Sequence, residues 1–204
     1  YQPDVVGISC MFSKQSEIYH EVLSVIKKAS PDIITVAGGP HVTVCSKDVL
    51  DDPNCDHIIL GEGEKSFVEL LDSLNTGNDL TKINGYGVKR DGEYIINNHQ
   101  SFEDDLDSIP FPAYDIMNLS QYFGLSASHG LRHEFSFSPI ITSRGCPAKC
   151  TFCSADKMWG RRFRTRSVEN VIEEMRLLKN SYGVKEIMFE DDNLTIDNKR
   201  AKKI

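Results

Sequence analysis

The sequence predicts an α/β fold: part of a doubly wound parallel sheet, followed by the start of a second block of alternating strands and helices. Three observations lead there. Short apolar runs recur at βαβ spacing over roughly the first 75 residues. Helical patterns with one apolar face fill the gaps between them. Late in the chain a strand, a capped amphipathic helix and another strand follow one another again.

Asp4–Cys10 is short and mostly apolar, as expected of a strand buried on both faces. A helical stretch follows with Ile18, Val22, Val25 and Ile26 on one face, and Ser30-Pro31-Asp32 ends it. Ile33–Ala37 is the next strand, broken by Gly38-Gly39-Pro40. A short helix near His41–Leu50 leads to a strand at Asp56–Leu60. Gly61-Glu62-Gly63-Glu64 then opens a helix that carries Phe67, Leu70, Leu71 and Leu74 and stops at Asn75-Thr76-Gly77.

From Ile83 to about Asn98 the pattern changes. Gly87–Arg90 and Glu93–Ile96 flank Asp91-Gly92, a hairpin turn signal. Phe102–Ser138 contains Ile109-Pro110-Phe111-Pro112 and reads as an extended connector, because proline disfavours regular helix and sheet. The second block opens with a strand at Pro139–Ser143. Ser167 is the expected N-cap of a helix whose apolar face is Val168, Val171, Ile172, Met175 and Leu178, with Gly183 as its stop. Lys185–Phe189 is a strand that ends in Glu190-Asp191-Asp192-Asn193. The expected divisions are 1–80, a hairpin and connector over 81–138, and 139–204.

A hydrophobic share of 40% and a charged share of 26% over 204 residues are those of an ordinary globular protein. The net charge of −7 disfavours nonspecific contact with nucleic acid or anionic membranes. No apolar run approaches the ~20 residues of a membrane span, and the start, Tyr1-Gln2-Pro3-Asp4, has neither a signal-peptide pattern nor an initiating methionine. Cys10, Cys45 and Cys55 are scattered among apolar neighbours and read as small buried hydrophobes, which fits a reducing cytoplasm. His20, His57 and His99 carry no partner signal and read as structural or exposed.

The strongest chemical signal is Cys146, Cys150 and Cys153, spaced C-x3-C-x2-C on one short loop. Iron–sulfur clusters are held by thiolates, and a four-iron cluster on three of them keeps one iron open. Structural zinc sites are usually closed by four ligands, commonly in paired sets. Here no second pair follows, and His129 and His133 lie upstream at no familiar zinc spacing. The open-iron reading is the stronger; a zinc loop and incidental core cysteines are the alternatives.

This loop, with Phe152 just before its last cysteine, resembles the cluster loop of the radical S-adenosylmethionine superfamily. The resemblance implies a 4Fe–4S cluster on Cys146, Cys150 and Cys153, with S-adenosylmethionine on the fourth iron. It also implies a 5′-deoxyadenosyl radical made at the expense of an electron donor such as a ferredoxin or flavodoxin. The fold it implies is a (β/α) barrel, of which 139–204 would be the start. Phe152 and the strand end Glu190, Asp191, Asp192 are then the expected contacts to S-adenosylmethionine. The strand end is not the family's familiar Gly-Gly-Glu, so all three acids stay candidates. Within the basic run Arg161–Arg166, Arg166 is the candidate to grip the carboxylate of S-adenosylmethionine bidentately. Nucleic-acid contact or a solvated surface is the alternative for that run.

Ligands of parallel α/β sheets sit beyond the carboxyl ends of the strands. Those ends here are Ser9-Cys10-Met11, Gly38-Gly39-Pro40-His41 and Gly61-Glu62-Gly63-Glu64. Ser9-Cys10-Met11 resembles the S-x-L element of corrinoid-binding domains, with methionine for leucine, and Gly38-Gly39 resembles their later Gly-Gly, with 26 residues between Met11 and Gly38. The resemblance implies that Ser9, Gly38, Gly39, Gly61 and Gly63 line a slot for cobalamin. The family's D-x-H-x-x-G element would precede residue 1, so the lower cobalt ligand is not read and the chain looks truncated at its start. The 51 residues after Cys153 fall short of the ~200 a closed barrel needs, so it looks truncated at its end as well.

The expected protein is an anaerobic, cobalamin-dependent radical S-adenosylmethionine enzyme that performs methyl transfer, cyclisation or rearrangement. One alternative is a corrinoid carrier with a structural or electron-transfer cluster. Another is a zinc-binding regulatory or nucleic-acid protein. A tRNA methylthiolating enzyme would need further N-terminal cluster cysteines, which Cys10, Cys45 and Cys55 do not resemble.

Overall fold

The computed structural model describes residues 2–98, 101–125 and 131–204; His99 and His129 lie outside the described residues. The chain divides into two units, residues 1–103 with 152–159, and residues 104–151 with 160–204.

In the first unit β1 (Val5–Ser9), β2 (Ile34–Gly38) and β3 (His57–Ile59) are parallel, with Val6 opposite Thr35 and Val36 opposite His57. The expected hairpin, β4 (Tyr86–Arg90) and β5 (Glu93–Ile96), turns through Asp91 and Gly92, both at positive φ as this turn requires. It does not stand apart in a connector. β4 pairs antiparallel with β3, so the hairpin completes a five-stranded sheet in the order β1-β2-β3-β4-β5.

Alternation along the strands sends Ala37 and Ile58 into one apolar cluster and Val36 and Ile59 into another, on opposite faces of the sheet. The first face is covered by α1 (Ser16–Ala29), α2 (Pro40–Val44) and α3 (Ser46–Leu50). One helix was expected where α2 and α3 lie, but Cys45, at φ −115° and ψ 39°, interrupts it. On α1 the expected apolar face is corrected. Tyr19 and Leu23 are the buried residues, while Ile18, Val22 and Val25 are 64%, 42% and 58% exposed. Tyr19 and Leu23 are one turn apart and meet Ala37, Val42 and Ile58; the valines lie around the helix from them. The second face is covered by α4 (Glu64–Thr76), which buries Leu70 completely and ends at Gly77 with φ 73°.

In the second unit the chain runs through β6 (Phe137–Ile140), then β7 (Ser143–Arg144), which pairs antiparallel with β8 (Arg164–Thr165), and on to β9 (Glu186–Phe189), parallel to β6. The strand expected at Pro139–Ser143 is thus two pieces, split at Ile141-Thr142. Between β7 and β8 lies α5 (Ala155–Trp159), which groups with the first unit. Between β8 and β9 runs α6 (Val168–Tyr182), capped as expected: Ser167 Oγ accepts from the Asn170 amide at 3.1 Å, and Gly183 ends the helix at φ 68°. α7 (Asn198–Ala201) follows β9. The proline-containing stretch before β6 is no solvated strap: Tyr114, Leu119 and Phe123 are buried with Ile140 and Leu178. Among the described residues no helix is long and apolar enough to cross a membrane.

Candidate functional site

At the carboxyl rim of the first sheet the backbone itself makes the surface. The Cys10 amide donates to Gly38 O at 2.9 Å and the His41 amide to Cys10 O at 3.1 Å, which brings the ends of β1 and β2 together. Gly39 has φ 92°, and a Cβ there would lie 2.7 Å from Ser9 Oγ and 2.9 Å from Cys10 O. Only glycine fits both the conformation and the space. A Cβ on Gly38 would instead meet Ile59 O at an ordinary 3.6 Å. Thr43 Oγ1 donates to Gly39 O at 3.0 Å and accepts from the Gly61 amide at 2.9 Å, tying the turn after β3 to the rim. Gly63 is the residue before α4. Ser9, Gly38 and Gly39 therefore adjoin, Gly61 is linked to them through Thr43, and exposed Met11 and Phe12 continue the surface. The role of Thr43 as a strut between the two turns is set by the fold.

The rim suits a large ligand: it offers one exposed hydroxyl, bare glycine backbone and apolar neighbours. The cavity of about 670 Å³ in this unit lies elsewhere, lined by Lys27, Asp32, Asp51, Asp56 and His57 at the amino ends of β2 and β3. There Asp56 is held below the usual carboxylate range: burial opposes this, but Lys27 and Thr35 donate to it. That cavity is open to solvent and lies at the wrong end of the strands for a sheet ligand.

On the cysteine loop Cys146 is half-buried, Cys150 and Cys153 are exposed, and all three are free thiols. Phe152 is 91% exposed. Among the described residues no group of three or more His, Cys, Asp or Glu side chains is gathered as a metal site. The donor set nonetheless fits the cluster by its chemistry: three accessible soft ligands on one loop, with no fourth cysteine after them. The base of the loop is fixed by the β7–β8 ladder, Ser143 opposite Thr165 and Arg144 opposite Arg164. Gly145, at φ 84°, passes so close to the 160–162 backbone that a Cβ would strike Arg162 O. Arg161 Nη1 donates to Ala148 O at 2.8 Å, and Arg162 pairs with Asp104. The arginine run is therefore the loop's structural partner, which the sequence had left open.

Arg166 is committed inside the second unit. Its guanidinium donates to Glu174 Oε2, to Asn170 Oδ1 at 2.6 Å and to Ile141 O at 3.1 Å, and stacks 5.4 Å from the Phe111 ring centre. Tyr114 Oη donates to Glu174 Oε1 at 2.8 Å, and burial, then this bond, push the Tyr114 phenol up. Glu174 is 2% exposed and demands a cation beside it, which Arg166 supplies. The signal was present: Glu174 lies three residues after Val171 and four before Leu178, on the buried stripe.

At the end of β9 the three acids separate. Asp191 Oδ1 accepts from Thr142 Oγ1 at 2.8 Å and from Ser143 Oγ, and both its oxygens lie 3.2 Å from the Thr142 amide. Glu190 is half-buried, its amide donating to Ile140 O at 2.9 Å. Asp192 keeps an exposed face, yet packing behind it and then the charge of Asp191 push its carboxyl above the usual range.

Comparison with known proteins finds two family matches on the chain. Residues 1–71 match the B12 binding domain, and residues 140–203 match the Radical SAM superfamily. The chain thus combines a match to the B12 binding domain with one to the Radical SAM superfamily, domains whose cofactors are cobalamin and a 4Fe–4S cluster with S-adenosylmethionine. It is similar to cytidylyl-2-hydroxyethylphosphonate methyltransferase of Streptomyces wedmorensis, with 34% identity over all of this chain and 42% of the relative. It is also similar to an uncharacterised methyltransferase of Pyrococcus horikoshii, with 37% identity over 98% of this chain and 42% of the relative. The solved structure of the radical S-adenosylmethionine methyltransferase TsrM from Kitasatospora setae has the same fold, with a TM-score of 0.74 at 18% identity over 99% of this chain and 39% of that one. The chain spans less than half the length of these relatives.

Proposed function

We propose that the chain is the cofactor-holding part of a cobalamin-dependent radical S-adenosylmethionine methyltransferase. Residues 1–80 would serve as a partial cobalamin-binding domain, 81–138 as hairpin and connector, and 139–204 as the start of the barrel. The observation that carries the reading is the co-occurrence, in one chain, of both domain matches with three free thiols on one loop.

The thiolates of Cys146, Cys150 and Cys153 would hold the 4Fe–4S cluster and leave one iron open to S-adenosylmethionine. When bound, the cluster supplies the electron that cleaves a C–S bond of S-adenosylmethionine, giving methionine and a 5′-deoxyadenosyl radical. Phe152 offers an exposed aromatic face to that ligand. Asp192, with Glu190 two residues before it on the same strand end, accepts a hydrogen bond from its ammonium group; Asp191 and Arg166 also have partners within their own unit. Ser9, Gly38, Gly39, Gly61 and Gly63 line the cobalamin slot. The names of the two relatives described above point to methyl transfer. A ferredoxin or flavodoxin is the electron donor, and a reducing, anaerobic cytoplasm suits six free cysteines.

Anaerobic reconstitution tests this. The expected result is about four iron and four sulfide per chain, cobalamin retained through gel filtration, and loss of the iron when all three loop cysteines are replaced by alanine. Zinc uptake without iron or sulfide would overturn the reading.

A further inference from the structure

We infer that Asp191 and Arg200 form a clamp on Thr142 that positions the cysteine loop, a role beyond ligand contact; it rests on the cluster reading only for what the loop holds. Thr142 is fully buried and lies four residues before Cys146. Every polar atom it has is taken. Its amide and hydroxyl face Asp191. Its carbonyl accepts from Arg200 Nη2 at 2.9 Å and from the Arg166 amide at 3.0 Å, and its hydroxyl accepts from Arg200 Nη1 at 3.1 Å. Arg200 Nε also donates to Arg166 O at 2.8 Å.

Thr142 is thus held by a carboxylate beyond β9 and a guanidinium on α7, each buried or half-buried, with their opposite charges linked through its hydroxyl. Ser143 adds a further bond to the same carboxylate. The anchored residue is where β6 has ended and the loop has not yet begun, and Asp191 belongs to the acidic strand end. One side chain therefore fixes the thiol-bearing loop to the acids proposed for S-adenosylmethionine. Partners one step removed from a metal's ligands commonly change its affinity by about 10–100-fold when lost.

The test uses the reconstituted protein and four variants. Asp191→Ala and Thr142→Val are expected to speed stripping of the cluster by a chelator about tenfold and to alter the electron paramagnetic resonance spectrum of the reduced cluster before S-adenosylmethionine is added. Asp191→Asn, which keeps the acceptor, should remain near wild type. Asp192→Asn should leave the ligand-free spectrum unchanged and alter only the response to S-adenosylmethionine. Wild-type stripping and ligand-free spectra for Asp191→Ala or Thr142→Val overturn the clamp. If Asp191→Ala does not fold, Thr142→Val decides alone. If wild-type protein takes up no cluster, the cluster reading fails, and the clamp is then judged by thiol access: both variants should raise alkylation of half-buried Cys146, and unchanged rates overturn it.

Discussion

The rims of the two units are finished with different materials. At the ends of β1 and β2 the surface is backbone: Gly38 and Gly39 carry no side chain, the Ser9 hydroxyl stands exposed, and the struts are amide-to-carbonyl bonds and one threonine. At the ends of β6 and β9 the space is filled by side chains that satisfy one another, Thr142, Asp191 and Arg200 in one knot and Arg166, Glu174 and Tyr114 in the next. The first rim leaves room for a ligand against its own backbone. The second holds a loop still so that the loop can carry the ligand. Arg166 and Asp191, charges that look available in the sequence, are therefore engaged within the second unit.

The sharpest way to break this contrast is Glu174→Ala. It strands the Arg166 guanidinium in a buried site, and removing one partner of such a pair costs about 3–5 kcal/mol. Urea denaturation reads it; a cost under about 1 kcal/mol with weakened binding of S-adenosylmethionine would return Arg166 to the ligand's side. Gly145→Ala comes next, because its left-handed backbone alone costs about 1–2 kcal/mol and the collision with Arg162 O adds to that. Lower melting temperature and poor iron uptake are expected together. At the first rim, Gly39→Ala should cost a similar 1–2 kcal/mol or so, whereas Gly38→Ala, with ordinary space for a Cβ, should leave the melting temperature nearly unchanged and still weaken cobalamin retention.

The smallest effects separate the two sets of cysteines. Burial pushes the Cys55 thiol from 9.0 up to about 12, so at neutral pH its thiolate fraction is lower by about 10³. Alkylation should reach Cys150 and Cys153 long before Cys55. The same shift has a stability consequence. The folded state keeps a proton that the unfolded thiol releases, so the stability of the first unit falls as pH rises above 9.0. His57 acts at the other end: burial lowers its pKa, the unfolded state binds the proton first, and stability falls as pH drops below 6.5. Urea midpoints across that range should show a plateau between these limits.

Periodicity and turn chemistry were legible in the sequence because they are local. The caps at Ser167 and Gly183, the stop at Gly77, the Asp91-Gly92 turn and the three-cysteine loop each need only their neighbours in the chain. The face of α1 was not legible, since apolar residues surround Tyr19 and Leu23 and only the packed sheet decides which stripe is covered. The same holds for the hairpin, whose partner is β3, and for the Phe111–Phe123 stretch, whose prolines hid a contribution to the second core.

The sequence by itself determined where the chemistry-bearing residues stand: three thiols on one loop and a glycine rim after buried strands are set by spacing, which folding does not change, and resemblance attached the cofactors to them. Only the tertiary structure decided which charges remain for ligands. A buried Glu174 must be paired, and Thr142 must have its polar atoms satisfied out of water. Arg166, Asp191 and Arg200 meet those demands from 8, 49 and 58 residues away, a distance along the chain that no local pattern spans.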